Sequence, residues 1–238
     1  MATQIILGDI VADIVLKDIK NVHLSVYPPN GHVRISAPER MTIDNIRAYA
    51  VTKLDWIKRQ QTKLRSQERI SPREYIDGES HYVWGKRYLL KVIEADGVPR
   101  LRVRARHLDL YVRPGTSKDK REEIMEEWLR ANLKKAALPL IQAWESRLGV
   151  SVTRFYVHRM KTKWGSCSPG AGNIRLNSEL AKKPIECLEY IVVHEMMHLL
   201  EPSHNARFVV LMNEHMPKWK FYRDELNRLP VRHETWIY

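Results

Sequence analysis

His194-Glu195-Met196-Met197-His198, with His204 a few residues further on, constrains this chain more than any other stretch. Helical residues four apart project from the same side, about one turn apart along the axis. His194 and His198 therefore present two imidazoles from one rigid element, and Glu195 lies one residue round the same turn. Two helical histidines, a carboxylate able to act as general base and a third ligand nearby are the parts of metal-assisted hydrolysis. The flanks agree, because Val192, Val193, Met196, Met197, Leu199 and Leu200 are uncharged, as a buried ligand helix requires. Pro202 disfavours helix at Glu201, so the chain turns there and brings His204 back toward the pair.

Three histidines set separately into an apolar core would each need a hydrogen-bond partner and would leave Glu195 unexplained. Convergence on one ion needs neither. Three imidazoles with a fourth position left for water suit zinc best, and other first-row divalent metals remain compatible. A more distant carboxylate, Glu214 or Glu225, is the alternative third ligand, but His204 is closer. The spacing of His194, His198 and His204 equals that of the metzincins, yet Glu201 stands where they carry a turn glycine, which argues against that group. In this reading the metal acidifies a water and polarises the target bond. Glu195 takes the proton and returns it to the leaving group.

Composition bounds the rest. A chain of 238 residues can bury one substantial core or two modest ones, and 44% hydrophobic with 29% charged residues is ordinary for a globular protein. No secretory leader is visible at the N-terminus. The most apolar stretch, Ile191 to Leu200, is too short to cross a bilayer. Cys167 and Cys187 form neither a disulfide framework nor a C-x-x-C pair. The expectation is a cytoplasmic protein with no membrane partner. The net charge of +12 raises nucleic acid or phosphate as a partner. Arg100, Arg102, Arg104 and Arg106 alternate with Leu101, Val103 and Ala105, which in a strand stacks guanidiniums on one face. That face is either a solvated surface or a site for an anion, and the basic run from Trp56 to Arg69 poses the same choice.

Along the chain, the first forty residues read as strands, with a turn at Pro28-Pro29-Asn30-Gly31. A helix capped by Thr42 comes next, with Ile46, Ala50, Leu54 and Ile57 on one face, and its basic continuation from Lys58 runs into a loop. Strands return over Tyr82–Ile93 and Leu101–Val112. Pro114-Gly115 marks a boundary between a β-rich region with one helix, 1–114, and a helical metal-binding catalytic region, 115–238, or else an inner seam of one domain. Thr116 or Ser117 caps the next helix, with Ile124, Trp128, Ala131 and Leu138 as its core face and Pro139 kinking or dividing it. A strand over Val152–Val157, a loop over Lys161–Ser168 and a strand over Asn173–Leu176 precede the motif helix. No internal repeat is apparent.

Trp164-Gly165-Ser166-Cys167, Ile174-Arg175-Leu176-Asn177, Tyr190 with the histidine motif, and then His204, Phe208, Pro217 and Trp219 together resemble the YgjP-like metallopeptidases, zincins related to the WLM and SprT-type groups. Val33 to Pro38, Trp56-Ile57 and Trp84-Gly85-Lys86 extend the likeness over nearly the whole chain. The resemblance implies an α+β fold with a zincin-like helical core and short antiparallel strands. The strand near Asn173–Leu176 would lie above the motif helix as the substrate-facing edge. It also implies His194, His198 and His204 as zinc ligands and Glu195 as base, acting on a peptide. An activity on nucleoside triphosphates, UTP in particular, has been attached to the same family. A third possibility is a basic nucleic-acid-associated module with structural zinc.

Lys161, Lys163 and Ser166 are candidate substrate-binding groups, since they offer donors to an anion; a packed turn with solvated lysines is the alternative. Cys167 and Cys187 read as packed thiols, and Tyr190 or Tyr222 as packing residues able to donate to an oxyanion. His158, His215 and His233 have no partner spacing and read as structural.

Overall fold

Ile5, Leu7, Ile10, Ala12 and Ile14 are buried and alternate with open neighbours, the period-two pattern of strands covered on one face. They belong to the first of two units in a computed structural model that describes residues 3–27, 30–66, 69–160 and 163–232. The first unit takes residues 1–71 and 230–238, and the second takes 72–229. The fold is mixed α+β.

In the first unit, β1 (Thr3–Leu7), β2 (Ile10–Lys17), β3 (His23–Tyr27) and β4 (His32–Pro38) form a four-stranded sheet in the order β1-β2-β4-β3. Its outer pairs are antiparallel and its central pair, β2 with β4, is parallel. Helices α1 (Ile43–Val51) and α2 (Leu54–Ser66) complete the core through Ile46, Ala50 and Ile57. Thr42 caps α1 as expected, accepting from Asn45 N at 3.3 Å. One helix was expected here, but there are two. The Thr52 hydroxyl donates to the Tyr49 carbonyl at 2.7 Å and ends α1. Two-residue β5 (Arg69–Ile70) pairs in parallel with a strand near the C-terminus, Val231–Arg232.

The second unit opens with β6 (Ser80–Val83), β7 (Lys86–Glu94), β8 (Arg100–Val103) and β9 (His107–Val112), in the order β6-β7-β9-β8. Again the outer pairs are antiparallel and the central pair is parallel. This is the plan of the first sheet. The likeness continues past the strands: β4 starts at His32 and Thr42 caps α1, and β9 starts at His107 and Ser117 caps α3 (Lys118–Leu148) at the same interval. A repeat that sequence reading missed is therefore present in topology. Paired positions such as Val33 and Leu108, or Ile35 and Leu110, share burial and polarity but not identity.

Pro114-Gly115 falls inside the second unit, between β9 and α3. Helix α3 is continuous through Pro139. Buried Leu133 and Ala137 on one side of the proline and Ile141 and Trp144 on the other hold it to the core. The buried stripe is Met125, Leu129, Leu133, Ala137 and Ile141, one position round from the expected Ile124, Trp128 and Leu138, and Leu138 is exposed.

Trp84 and Gly85 both take positive φ, 49° and 76°, as a two-residue hairpin turn of the primed type requires. Their amides donate to the Ala181 and Lys182 carbonyls at 2.9 and 3.3 Å. This anchors the β6–β7 hairpin on a 3-10 turn, Ser178–Lys182, that leads into α4 (Ile185–Met197). Before that turn, β10 (Arg154–His158), β11 (Gly165–Ser168) and β12 (Asn173–Asn177) form a sheet in the order β10-β12-β11. Residues 165–168, expected as loop, are a strand. After α4 come α5 (Ala206–His215), α6 (Trp219–Arg228) and β13 (Val231–Arg232).

Candidate metal centre

Helix α4 carries the motif through the core of its unit, with Leu188, Val192, Val193, Met196 and Met197 inaccessible to solvent. His194 sits in its last turn, and His198 is the residue that ends it. After the turn at Glu201 and Pro202, Asn205 starts α5 by accepting from Phe208 N at 3.0 Å, which holds His204 just outside the new helix. The ligating atoms of His194, His198 and His204 all lie within 4.8 Å of one another, and no other histidine, cysteine or carboxylate of the described residues joins them. Glu214 and Glu225 are not members of the group; Glu225 instead lies near Cys187.

The donor chemistry suits a cation. His194 Nε2 and His204 Nε2 are 2.9 Å apart, a separation at which two lone pairs repel unless a proton or a metal lies between. The His198 Nδ1–H donates to the Glu201 carbonyl at 3.1 Å, leaving Nε2 as the free lone pair. Burial first, then the neighbouring His198 and His204, depress His194 to about 3. Burial likewise lowers His198. Both rings are neutral at pH 7, the state in which imidazole binds metals.

Packing supports the rings where hydrogen bonds do not. His194 Nδ1 is buried without a partner among the described residues. Phe208, named above only within the family likeness, lies with its ring centroid 5.0, 4.8 and 4.8 Å from those of His194, His198 and His204. One buried aromatic thus touches all three imidazoles. Tyr190 meets His194 edge-on at 5.8 Å.

Glu195 is only 5% exposed. Burial raises its carboxyl to about 8, with Lys163 acting in the opposite direction, and a cation held by the neighbouring histidines would draw it back toward the ionised form that a base needs. It faces β11 at close quarters. A Cβ built on Gly165 would come within 2.5 Å of Glu195 Oε1 and 2.7 Å of its Cγ, so only glycine lets the strand approach. Sequence reading placed this glycine in a loop. The strand is the free edge of its sheet, since β12 is the central member. The edge over the site is therefore β11, and not the 173–176 strand that the resemblance implied. The segment entering β11 is clamped by Asn177, whose Nδ2 donates to the Met160 and Lys163 carbonyls at 2.8 Å each and whose Oδ1 accepts from Met160 and Glu179 amides.

A cavity of about 440 Å³ opens on the histidines and Glu195, and its lining includes Lys163, Trp164, Ser166, Cys167, Tyr190 and Pro202. Lys163 and Ser166 are thus beside the centre, whereas Lys161 lies outside the described residues, as does His233. Cys167 does reach the site, but burial, and then Glu195, push its thiol up to about 11, so it is protonated at neutral pH. Burial similarly takes the Tyr190 phenol to about 12. Tyr222 packs at the margin of the core.

Lys183 is 4% exposed, with its ammonium 5.6 Å from the Trp164 ring centroid. Burial depresses it from 10.5 to about 8. Its folded pKa lies below the unfolded one, so the unfolded state binds the extra proton between these values and stability rises with pH there. Relative to Lys183→Met, the wild type should gain about 3 kcal/mol between pH 7 and pH 10.5. Urea denaturation of both proteins across that range measures the difference. A constant gap would show that Lys183 is not depressed.

Three converging imidazoles beside a buried carboxyl group, at the mouth of an open cavity, define the class as a metal-dependent hydrolase centre. The family comparison agrees. The YgjP-like metallopeptidase domain matches residues 20–229, and the chain belongs to that family. No curated protein matches it. Similar solved structures include the metallopeptidase zymogen of Pyrococcus abyssi abylysin, at 22% identity over 37% of this chain and 89% of that one, with a TM-score of 0.35. The metallopeptidase zymogen of Methanocaldococcus jannaschii jannalysin is 19% identical over 40% of this chain and 86% of that one, with a TM-score of 0.32. No helix among the described residues is long and apolar enough to cross a membrane.

Proposed function

We propose that this chain is a zinc-dependent peptidase in which His194, His198 and His204 hold the ion and Glu195 is the general base. The observation that carries the reading is the convergence of three imidazoles within 4.8 Å beside a carboxylate that is almost wholly buried. The ion, when bound, supplies Lewis acidity to the water and to the scissile carbonyl. Glu195 takes the proton of the attacking water at a carboxylate oxygen and delivers it to the amide nitrogen of the leaving group. The free edge of β11 offers backbone donors and acceptors to an extended peptide laid beside it. Gly165 keeps that edge against Glu195, and Trp164 and Tyr190 close the walls.

The lining supports a peptide over a nucleotide. Lys163 is the one lysine or arginine among the described residues that line the cavity, whereas a triphosphate calls for several cations around it. The test measures metal content and cleavage of casein and of UTP side by side. Purified protein should carry one zinc per chain and cleave casein; His204→Ala should lose both. Full metal occupancy in His204→Ala overturns the ligand assignment. Pyrophosphate release from UTP without casein cleavage overturns the substrate assignment.

A further inference from the structure

The outer face of the β6-β7-β9-β8 sheet is the strongest feature that the metal centre does not use. Leu90, Leu101, Leu108 and Leu110 turn inward, so their strand neighbours point out. Register places these outward residues in rows: Ile93, Tyr111 and Arg100; Lys91, Asp109 and Arg102; Leu89 and His107; Arg87 and Tyr82. Arg104, just past β8, reaches back to Asp109 at 3.4 Å. Arg100 and Arg102 lie over the Tyr111 ring, 4.4 and 5.9 Å from its centroid. Five permanent cations therefore share this face, namely Arg87, Lys91, Arg100, Arg102 and Arg104. The carboxylates on it or beside it are already engaged, Asp109 with Arg104 and Asp77 with the Val92 amide. A groove of about 420 Å³ runs among Asp77, Leu89, Lys91, Arg104, His107 and Asp109.

The fold does not demand these cations. The first unit's sheet has the same strand order, yet where β8 carries Arg100 and Arg102 its counterpart β3 carries His23 and Ser25, and the one arginine on that face, Arg34, lies 5.7 Å from the Tyr27 ring centroid. We propose that the outer face of the second sheet binds single-stranded nucleic acid. Arginines repeat every second residue along β8, at about 7 Å, and so line up forked donors for successive phosphates. Stacking on Tyr111 fixes two of those forks in place. Half-open Tyr82, 38% exposed, gives a base an aromatic face beside the charged rows, and Leu89, 37% exposed, adds apolar contact. An acidic protein surface would be drawn by the charge but would make no use of that aromatic and apolar surface.

Fluorescence anisotropy of the full chain with a labelled single-stranded oligonucleotide of mixed sequence tests this, with duplex DNA and poly-glutamate as competitors. Binding should weaken steeply with salt, and the single strand should outcompete both other polyanions. Arg100→Gln/Arg102→Gln should lose at least tenfold in affinity, with the salt slope reduced by about 1.4 for two lost phosphate contacts on a single strand. Arg100→Lys/Arg102→Lys should keep most of the slope while losing affinity, which separates phosphate contact from misfolding. Lys58→Gln/Arg59→Gln, on α2, should bind as wild type. The proposal fails if the Gln pair binds like wild type, if the α2 pair carries the loss instead, or if poly-glutamate or duplex competes as well as the single strand. Glu195→Gln should bind the oligonucleotide unchanged, so failure of the peptidase reading leaves this result readable.

Discussion

Glu195→Gln is expected to keep its metal and to lose about 10²–10⁴-fold in kcat, with KM little changed. The amide matches the carboxylate in volume, which matters at a side chain with 5% exposure packed beside Gly165. It makes no bond to the three histidines that the change would remove. What it lacks is an oxygen able to hold a proton and give it up, so the loss falls on the chemical step. Metal content by emission spectroscopy and steady-state cleavage of a peptide substrate read the two halves separately. A variant as active as wild type would strip Glu195 of the base role. A variant that lost its zinc would place Glu195 among the ligands.

Gly165→Ala is expected to be nearly as damaging, although it changes no reactive group. The added methyl would meet Glu195 Oε1 at 2.5 Å, Cγ at 2.7 Å and Cδ at 2.9 Å. Neither neighbour can retreat. Helix α4 is fixed by buried Val192 and Met196, and β11 is paired along its length with β12. The carboxylate must therefore rotate or the strand must lift, and a displacement of about 1 Å at a reacting group costs on the order of 10²-fold. Activity should fall by that factor or more, with zinc retained and the denaturation midpoint lowered. Gly170→Ala is the control, because a methyl there meets nothing within 4 Å, and it should behave as wild type. Full activity in Gly165→Ala would show that β11 does not bear on Glu195.

The histidine cluster was legible because its code is local. His194 and His198 share a helix face, Pro202 dictates the turn, and His204 comes within one short loop. Alternation likewise exposed the strands of both larger sheets. The remaining features depend on long-range contacts. Phe208 gathers three imidazoles, Gly165 admits Glu195, and Asn177 clamps the entry to β11; each acts on residues that local patterning does not connect to it. Helix α3 is not divided at Pro139 for a related reason. A lone missing amide weakens one turn, while burial on both sides of it acts over the whole of α3.

The two matching sheets lead into helices of very different length. Helix α1 stops after nine residues, but α3 runs for 31. Its far half packs on α4, where Trp144 Nε1 donates to Glu189 at 3.0 Å, five residues before the first histidine of the cluster. The overhang is a strut from a repeated scaffold to a reactive centre. Alterations along its outer stretch can tune how firmly the histidine-bearing rod is seated while leaving the sheet itself untouched.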